Sequence, residues 1–349
     1  MSDGLLFPMP ALEAEYTPRN LNWAEFHRKG PILRPARSPQ GDDGVYGLDL
    51  TAGCAHGCPF CHIRAAAWFP GENRVLFDPS LVRRFKWTLD ALPKPPKLVV
   101  LSPTSDPFPP HREVRAQAHR IIETLLGRGV EVLVMTRGRI PLALIPLLVE
   151  HKPQIRVAVA LTTMNKELSR VLEPAATPPR VRLRGIARLL DAGAQVDVRL
   201  EPLIAGLSDT RENLIPLFED LERIGVRKVL AHYLFLHSAM LASLRNALGP
   251  LGLSEKLGDD YEGGPMFSLG TLGPTRHLPL DVRREGLARL SAWGAEHGLI
   301  IETGTAQNPD LPRSEHSAHT FSQSSTGGAF LRRRAGAPVT KPDAVPHPV

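Results

Sequence analysis

Residues 97–136 read KLVVLSPTSDPFPPHREVRAQAHRIIETLLGRGVEVLVMT and contain a complete strand–helix–strand unit. The apolar runs KLVVLS (97–102) and VEVLVMT (130–136) predict two buried strands. Between them, residues 112–129 place apolar side chains at helical spacing and end in glycines that can stop a helix. A strand, a helix and a second strand of this length predict a parallel βαβ unit.

The same alternation continues on both sides of this unit. Further strands are predicted at 45–50, 155–162, 194–202 and 227–236, and further helices at 79–92, 142–151, 180–193 and 210–225. Six strands alternating with helices predict an α/β protein in which parallel units wind with one hand. The sheet either closes, in whole or in part, into a (β/α) barrel or stays open as a doubly wound sheet. In both cases ligands bind at the carboxyl ends of the strands.

The composition of the chain changes outside this core. Residues 1–44 are rich in proline, glycine and charge and predict an irregular N-terminal arm before a core at 45–237. Residues 238–307 predict a mainly helical C-terminal extension, in which LIIETG (299–304) is a candidate for one more strand. The polar residues 308–349 predict a disordered tail.

The overall composition of the 349 residues, with 42% hydrophobic and 22% charged, is typical of a water-soluble globular protein. The chain has no run of eighteen apolar residues, so we expect no membrane span. The N-terminus lacks the pattern of a secretory signal, so a cytoplasmic location with reduced thiols is expected. The formal net charge of +6 permits an anionic partner such as nucleic acid.

All three cysteines lie in the segment CAHGCPFCH, residues 54–62. Cys58 to His62 match the C-x-x-C-H pattern of c-type haem, and Cys58 with Cys61 matches a thioredoxin-like redox pair, but both leave Cys54 unexplained. Three cysteines with His56 or His62 could bind structural zinc, although zinc ligands usually come from two separated segments. A [4Fe–4S] cluster is the fourth alternative.

Three thiolates leave one iron of such a cluster open, and an open iron can bind a substrate or cofactor directly. The segment follows the first predicted strand, where the site of a parallel α/β protein is expected. The polar segments after the next four strands, SPTSDPFPP, TRG, TTMN and EPLIAG, meet at the same edge. The pattern therefore favours a catalytic cluster.

The spacing Cys54-x₃-Cys58-x₂-Cys61, with Phe60 before the last cysteine, resembles the signature of the radical S-adenosylmethionine (SAM) superfamily. This resemblance implies a partial (β/α)₆ barrel of the TIM type and two cofactors, a [4Fe–4S] cluster and SAM bound to its open iron. It also implies reductive cleavage of SAM to a 5′-deoxyadenosyl radical that abstracts hydrogen from a substrate. An external electron donor such as flavodoxin or ferredoxin is implied as a partner.

Four further segments resemble the branch of this superfamily related to spore photoproduct lyase: TSDPFPPHRE (104–113), MTRG (135–138), residues 161–193 and EPLIAGLSDT (201–210). Arg137 stands where this branch usually has lysine, and Ala205 stands where it has proline. The lyase uses an additional cysteine as its hydrogen-atom donor, whereas all three cysteines here are assigned to the cluster. The resemblance therefore implies a radical SAM enzyme with an unidentified substrate, for which a nucleic-acid component is one candidate.

By this resemblance Cys54, Cys58 and Cys61 bind the cluster, and Phe60 lies near the adenine of SAM, with core packing as the alternative. Because the usual Gly-Gly-Glu after the second strand is absent, other side chains must hold the amino group of SAM. The candidates for binding SAM are Phe60, Ser102, Thr104, Arg137, Thr162 and Arg199.

The roles within this set follow from position and chemistry. Ser102 and Thr104 replace the missing amino-group ligands, with Asp106 as a further candidate or a helix cap. Arg137 can pair with the carboxylate of SAM, with surface solvation as the alternative. Thr162 occupies the position of the family's ribose contact. Arg199 points to the same rim if its neighbours on the strand pack outward against helices.

Two residues of the sixth strand are candidates for contact with the substrate. Tyr233 is a candidate catalytic residue that could replace the missing hydrogen-atom donor. His232 is a candidate interior contact, with an ordinary core histidine as the alternative. A zinc-stabilised nucleic-acid-binding protein without catalysis remains the alternative function.

Overall fold

The computed structural model describes residues 21–35, 44–252, 256–268, 273–304 and 308–311. Its strands are β1 (Asn22–Glu25), β2 (Arg34–Pro35), β3 (Val45–Leu48), β4 (Thr51–Ala52), β5 (Arg74–Phe77), β6 (Leu98–Leu101), β7 (Glu131–Thr136), β8 (Ile155–Ala160), β9 (Val196–Leu203), β10 (Lys228–Tyr233), β11 (Met266–Ser268), β12 (Pro274–Arg276) and β13 (Ile300–Glu302). Its helices are α1 (Leu81–Ala91), α2 (Arg112–Leu126), α3 (Ile145–Glu150), α4 (Lys166–Leu172), α5 (Pro179–Asp191), α6 (Arg211–Arg223), α7 (Ser238–Leu248), α8 (Lys256–Asp259) and α9 (Leu280–Glu296).

Helix α2 shows how the local sequence forms these elements. The imidazole of His111 accepts a hydrogen bond from the backbone N–H of Val114 at 3.4 Å and caps the first turn. One face of the helix is buried, and the helix ends at Gly127, whose N–H donates to the carbonyl of Glu123. Each large apolar side chain buried in this way contributes about 1.5–3 kcal/mol. The amphipathic pattern therefore fixes both the helix and the face that it buries.

The main sheet has the strand order β13-β10-β9-β8-β7-β6-β3-β2. All neighbours pair in parallel except β2 and β3, which are antiparallel. The six predicted strands are confirmed as β3 and β6 to β10, and the candidate strand at 299–304 is β13. The strands follow one another in chain order, whereas a doubly wound sheet reverses its order at a switch point. The protein is therefore a mixed α/β fold built on a parallel sheet.

The two faces of this sheet differ. One face packs with the helices in the main hydrophobic core, to which Val99, Val134, Val159, Val198 and Val229 contribute. The opposite face, which we call the inner face, carries a smaller apolar cluster. Among the described residues this cluster draws only on strands; its buried members are Val45, Leu98, Val100, Leu133 and Ala158. Helices thus cover one face, whereas a doubly wound sheet carries them on both.

Two parts of the predicted organisation differ from the structure. The N-terminal arm is not irregular throughout, because β1 pairs in parallel with β5 and β2 pairs with β3. Beyond the predicted core, β11 and β12 form a hairpin and β13 joins the core sheet beside β10. Local composition does not reveal the partners of β1 and β13, which lie about fifty or more residues away, and β2, β11 and β12 are only two or three residues long. The other predicted boundaries remain predictions, and residues 312–349 lie outside the described residues.

Within the described ranges, none of the helices is both long enough and apolar enough to span a membrane.

Candidate metal centre and cofactor site

The loop that carries the cysteines joins β4 to β5, and these two strands pair with each other antiparallel. The pairing closes the base of the loop. At its start Gly53 has φ +81°, and a Cβ there would lie 2.5 Å from the carbonyl oxygen of Arg74. Only glycine fits this turn without displacing backbone.

Three hydrogen bonds stabilise the conformation of the cysteine loop. The N–H of Cys61 donates to the carbonyl of Cys58 at 3.1 Å, which places both residues on one turn. The guanidinium of Arg64 donates to the same carbonyl at 3.2 Å. The carbonyl of His56 accepts from the N–H of Ala175 at 3.1 Å, which ties the loop to the segment after α4. The cysteines are therefore positioned by backbone contacts on both sides.

All three cysteines line one cavity of about 170 Å³. Burial raises the pKa of the Cys58 thiol to about 12. Burial, followed by Asp106 and by the two other thiols, raises the pKa of Cys54 well above its usual value. The other two thiols thus add to the raised pKa of Cys54, and a bound cation would lower the pKa of all three.

The donor set fits an iron–sulfur cluster better than a single zinc ion. Among the described residues, no three His, Cys, Asp or Glu side chains are placed to hold one metal ion. Structural zinc needs four ligands around one point, whereas a [4Fe–4S] cluster takes its thiolates on separate irons. The three thiols line one cavity but do not converge on one point. This arrangement fits a [4Fe–4S] cluster, in which each thiolate binds a different iron.

Arg137 connects the cysteine loop to the carboxyl ends of the strands. Its guanidinium donates to Glu173 Oε1 and to the carbonyl of Glu201, both at 2.7 Å. The guanidinium carbon lies 5.2 Å from the centre of the Phe60 ring, a cation–π contact. Burial alone would lower the pKa of Arg137, but Glu173 and Cys58 together with other anions raise it. Arg137 is therefore a buried, paired cation, not a solvated surface residue.

Glu173 is shared between two arginines. Its carboxylate contacts Arg182 as well as Arg137, and the hydroxyl of Thr162 lies 3.4 Å away. That hydroxyl also donates to the carbonyl of Glu201 at 3.1 Å. Burial alone would raise the pKa of Glu173, but Arg182 and Arg137 lower it. The Glu173 carboxylate therefore links Thr162, Arg137 and Arg182.

Ser102 and Thr104 follow β6 but differ in their contacts. Ser102 has φ +58° and donates its N–H to the carbonyl of Leu48 at 2.7 Å. Its buried hydroxyl has no hydrogen-bond partner in the part of the chain that the structure describes. Thr104 instead donates its N–H and its hydroxyl to the carboxylate of Asp49 at 2.8 and 2.7 Å. Ser102 is therefore available to a ligand, whereas the hydroxyl of Thr104 is occupied by Asp49.

Asp106 is buried and has several hydrogen-bond partners, but it does not cap α2, whose N-terminal cap is His111. It accepts hydrogen bonds from the N–H groups of Phe108 and Arg137, at 2.8 and 2.7 Å. The hydroxyl of Thr136 donates to it at 3.0 Å. The imidazole of His56 lies 2.9 Å from the same carboxylate, which therefore links the cysteine loop to the end of β7.

Arg199 lies on the inner face, because Val198 and Leu200 on either side pack into the helix-covered core. Its guanidinium contacts the carboxylate of Glu201, two residues along the same strand. His232 lies with its Nδ1 3.1 Å from that carboxylate. Burial lowers the pKa of His232 to about 4 despite the neighbouring Glu201, so the imidazole is neutral at pH 7.

Tyr233 lies apart from these residues. It belongs to the helix-covered core, and its hydroxyl donates to Asp209 at 2.7 Å. Burial and Asp209 raise its pKa above the usual value. The strand directs His232 to one face and Tyr233 to the other, so the structure does not bring the Tyr233 hydroxyl to the cysteine loop.

Sequence reasoning missed three residues that organise this site: Asp49, His56 as a partner of Asp106, and Glu201. Asp49 follows β3 directly, and Glu201 opens the segment EPLIAG, so both occupy strand ends where site residues are expected. Their positions were visible, but two of their partners come from other parts of the fold: Thr104 follows β6, and His232 lies on β10.

Comparison with known proteins agrees with this geometry. Residues 48–221 match the family model of the radical SAM superfamily. An uncharacterised protein of Acidianus two-tailed virus is 28% identical over 238 residues, which cover 62% of this chain and 78% of the viral protein. An uncharacterised protein of Mycobacterium bovis is 26% identical over 213 residues, which cover 56% of this chain and 60% of that protein. The match thus spans less than two thirds of the mycobacterial relative.

Solved structures share the fold. A variant of spore photoproduct lyase superposes with a TM-score of 0.56 at 13% identity, covering 80% of this chain and 81% of the lyase. Another variant, with bound AdoMet and dinucleoside spore photoproduct, gives a TM-score of 0.53 at 13% identity over 73% and 75% of the two chains. At this identity the likeness concerns the fold alone. The matched family model and the shared fold together place this chain, an enzyme, in the radical SAM superfamily.

Proposed function

We propose that this enzyme holds a [4Fe–4S] cluster on Cys54, Cys58 and Cys61, cleaves SAM reductively and abstracts hydrogen from a substrate not yet identified. The observation that carries the proposal is the set of three thiols on one closed loop that line one cavity. When bound, the reduced cluster supplies the electron that cleaves SAM. The in-order parallel strands, covered by helices on one face, support a partial (β/α)₆ barrel formed by β3 and β6 to β10.

The protein groups around the loop support a SAM site next to the cluster. Phe60 offers a flat apolar ring, and Arg137 holds a positive charge over it. The free hydroxyl of Ser102 suits the amino group of SAM. Thr162 contributes a hydroxyl just after β8, Arg199 lies on β9 beside Ala160 at the end of β8, and the hydroxyl of Thr104 is bound to Asp49.

Two partners belong to the same proposal. An external one-electron donor such as flavodoxin or ferredoxin supplies the reducing equivalent. The net charge of +6 and the lyase-like fold support a nucleic-acid component as the class of substrate to be tested first.

The test starts with anaerobically purified protein. We expect a brown protein with about four irons per chain, which releases 5′-deoxyadenosine when SAM and dithionite are added. Replacing all three cysteines by serine should abolish both iron binding and product. Ser102→Ala is the matched variant, since it should keep the iron and weaken only the binding of SAM. A colourless protein with one zinc per chain would overturn the proposal in favour of the zinc-stabilised binding protein.

The substrate is then sought by isotope transfer. Deuterated DNA, RNA and small-molecule candidates are incubated with the reduced enzyme and SAM, and deuterium in the released 5′-deoxyadenosine identifies the hydrogen source. Label from none of the nucleic-acid candidates would overturn that substrate class while leaving SAM cleavage intact.

A further inference from the structure

The inner face of the sheet is divided into an apolar and a charged half. The apolar cluster described above occupies β3, β6, β7 and β8. On β9, β10 and β13 the same face carries Asp197, Arg199, Glu201, Lys228 and Glu302. The strand register places these residues on one face. Arg199 pairs with Ala160 of β8 and with Leu230 of β10, and Leu230 pairs with Glu302 of β13. Barrel interiors are usually filled with apolar layers, so buried charges here need a reason.

Most of these charges pair with one another. Arg156 contacts Asp197 at 3.0 Å, and Lys228 contacts Glu302 at 3.0 Å. Arg199 is different because only one of its guanidinium nitrogens, Nη2, meets a partner, the carboxylate of Glu201. Its Nε and Nη1 have no partner among the described residues, although the residue is only 2% exposed.

Two buried N–H donors without acceptors are costly, at about 1–3 kcal/mol each. Such groups in native structures are normally satisfied by protein, water or ligand. Arg199 sits at the charged half of the inner face, beside the strand ends that meet the cysteine loop. A ligand that supplies acceptor atoms is the natural partner for these donors.

The chemistry around Arg199 selects an uncharged acceptor. Glu201 already neutralises the guanidinium, so a second anion at this point would be repelled by that carboxylate at short range in a medium of low dielectric. His232 is neutral at pH 7 and adds no charge. Its Nδ1 lies 3.1 Å from the Glu201 carboxylate but makes no hydrogen bond among the described residues, so it is a further buried polar atom without a partner beside Arg199.

We propose that Arg199 recognises an uncharged amide- or imide-type group of the substrate by donating to its carbonyl oxygens. The inference rests on the proposed function and names the substrate class of the same site, and it assigns the two free donors of Arg199 to the substrate instead of to SAM.

The test uses two small probes with the same carbon skeleton and opposite chemistry. Glutarimide is an uncharged cyclic imide, glutarate is the corresponding dianion, and inorganic phosphate serves as a third probe. Each is titrated into the anaerobically reconstituted full-length enzyme with SAM bound, and binding is measured by ligand-observed NMR. Glutarimide should bind saturably and more tightly than glutarate or phosphate.

Matched variants assign this binding to Arg199. Arg199→Lys keeps the charge opposite Glu201 but loses the two free donors, so glutarimide should bind at least about tenfold more weakly. Arg156→Lys, which alters a paired arginine on the same face, should leave binding unchanged. Thermal unfolding of both variants shows that each is folded.

Three results would overturn the inference: tighter binding of glutarate or phosphate, unchanged binding by Arg199→Lys, or no binding of glutarimide to the wild-type enzyme. Iron content and 5′-deoxyadenosine release are measured on the same preparations. Intact SAM cleavage without glutarimide binding rejects the substrate class alone, whereas absence of iron and cleavage rejects the proposed function.

Discussion

At the scale of single residues, the site depends on charges that are buried together. Glu173 is fully enclosed and serves two guanidinium groups, those of Arg137 and Arg182. A buried ion pair adds little net stability, since desolvation offsets the attraction, but removing one partner leaves a buried charge uncompensated. Glu173 therefore fixes the position of Arg137 but adds little net stability. Loss of the carboxylate would destabilise the fold, because the charge of Arg137 would then be uncompensated.

Glu173→Gln should lower the free energy of unfolding by about 3–5 kcal/mol, because two buried arginines then lose their counter-charge. Urea denaturation of the metal-free protein measures the change. Glu167→Gln on the exposed side of α4 is the control and should change stability by less than about 0.5 kcal/mol. Equal effects of the two substitutions would contradict the role given to Glu173.

At the scale of elements, glycines decide how closely the secondary structures approach. Gly53 allows the chain to enter the cysteine loop, and Gly286 allows α9 to lie against β10. A Cβ at Gly286 would lie 1.9 Å from the hydroxyl of Tyr233, which is itself bound to Asp209. The docking of α9 therefore depends on the absence of a side chain at this position.

Gly286→Ala should destabilise the protein by about 1–3 kcal/mol, because the methyl group forces α9 away from Tyr233. The matched control is Gly185→Ala within α5, where a Cβ meets no atom within 4 Å. That substitution should raise stability by up to about 1 kcal/mol through helix propensity. Thermal and urea unfolding of the two variants measure both effects. A change of stability in the same direction in both variants would contradict the role given to Gly286.

At the scale of the whole molecule, buried ionisable groups make the fold sensitive to acid. Burial lowers the pKa of His232 to about 4 and that of His277 to about 3. In the unfolded chain a histidine has a pKa of about 6.5. Between these values the unfolded state binds protons that the folded state does not, so stability falls as pH falls.

Buried carboxylates cause a further loss of folding stability at lower pH. The pKa values of Asp106, Glu173 and Glu201 are lowered in the folded protein, because their cationic and hydrogen-bonding partners outweigh burial. Their stabilisation is complete above the unfolded pKa near 4 and is lost as pH falls through the lowered folded values.

The free energy of unfolding falls when the pH is lowered from 7 to 5, and in His277→Phe this fall should be smaller by about 2 kcal/mol. That amount is the contribution of one histidine that stays neutral in the folded protein and is protonated in the unfolded chain. The phenyl ring keeps the packing against Phe235 and Phe267. Thr275→Val is the control, because it removes the 3.3 Å contact to the imidazole but keeps the histidine. Urea unfolding at both pH values measures the difference, and an acid loss equal to wild type in His277→Phe would exclude this origin.

The amino-acid sequence by itself determined the strand–helix alternation, the six core strands, the parallel α/β class and the three cysteines on one loop after β3. These features depend on residue spacing and on contacts within one element, which local periodicity reveals. The outward packing of Val198 and Leu200, and hence the inner position of Arg199, also follows from alternation along one strand.

Only the tertiary structure decided which partners the site residues have. Local sequence does not show that Thr104 donates to Asp49 or that Glu201 lies in contact with Arg199 and His232. Nor does it show that β1 pairs with β5. Local sequence likewise does not show that the Tyr233 hydroxyl, in the helix-covered core with Val229 and Ala231, is bound by Asp209. Such pairings join residues up to tens of positions apart, and their choice depends on competition among all packed elements, which no local pattern contains.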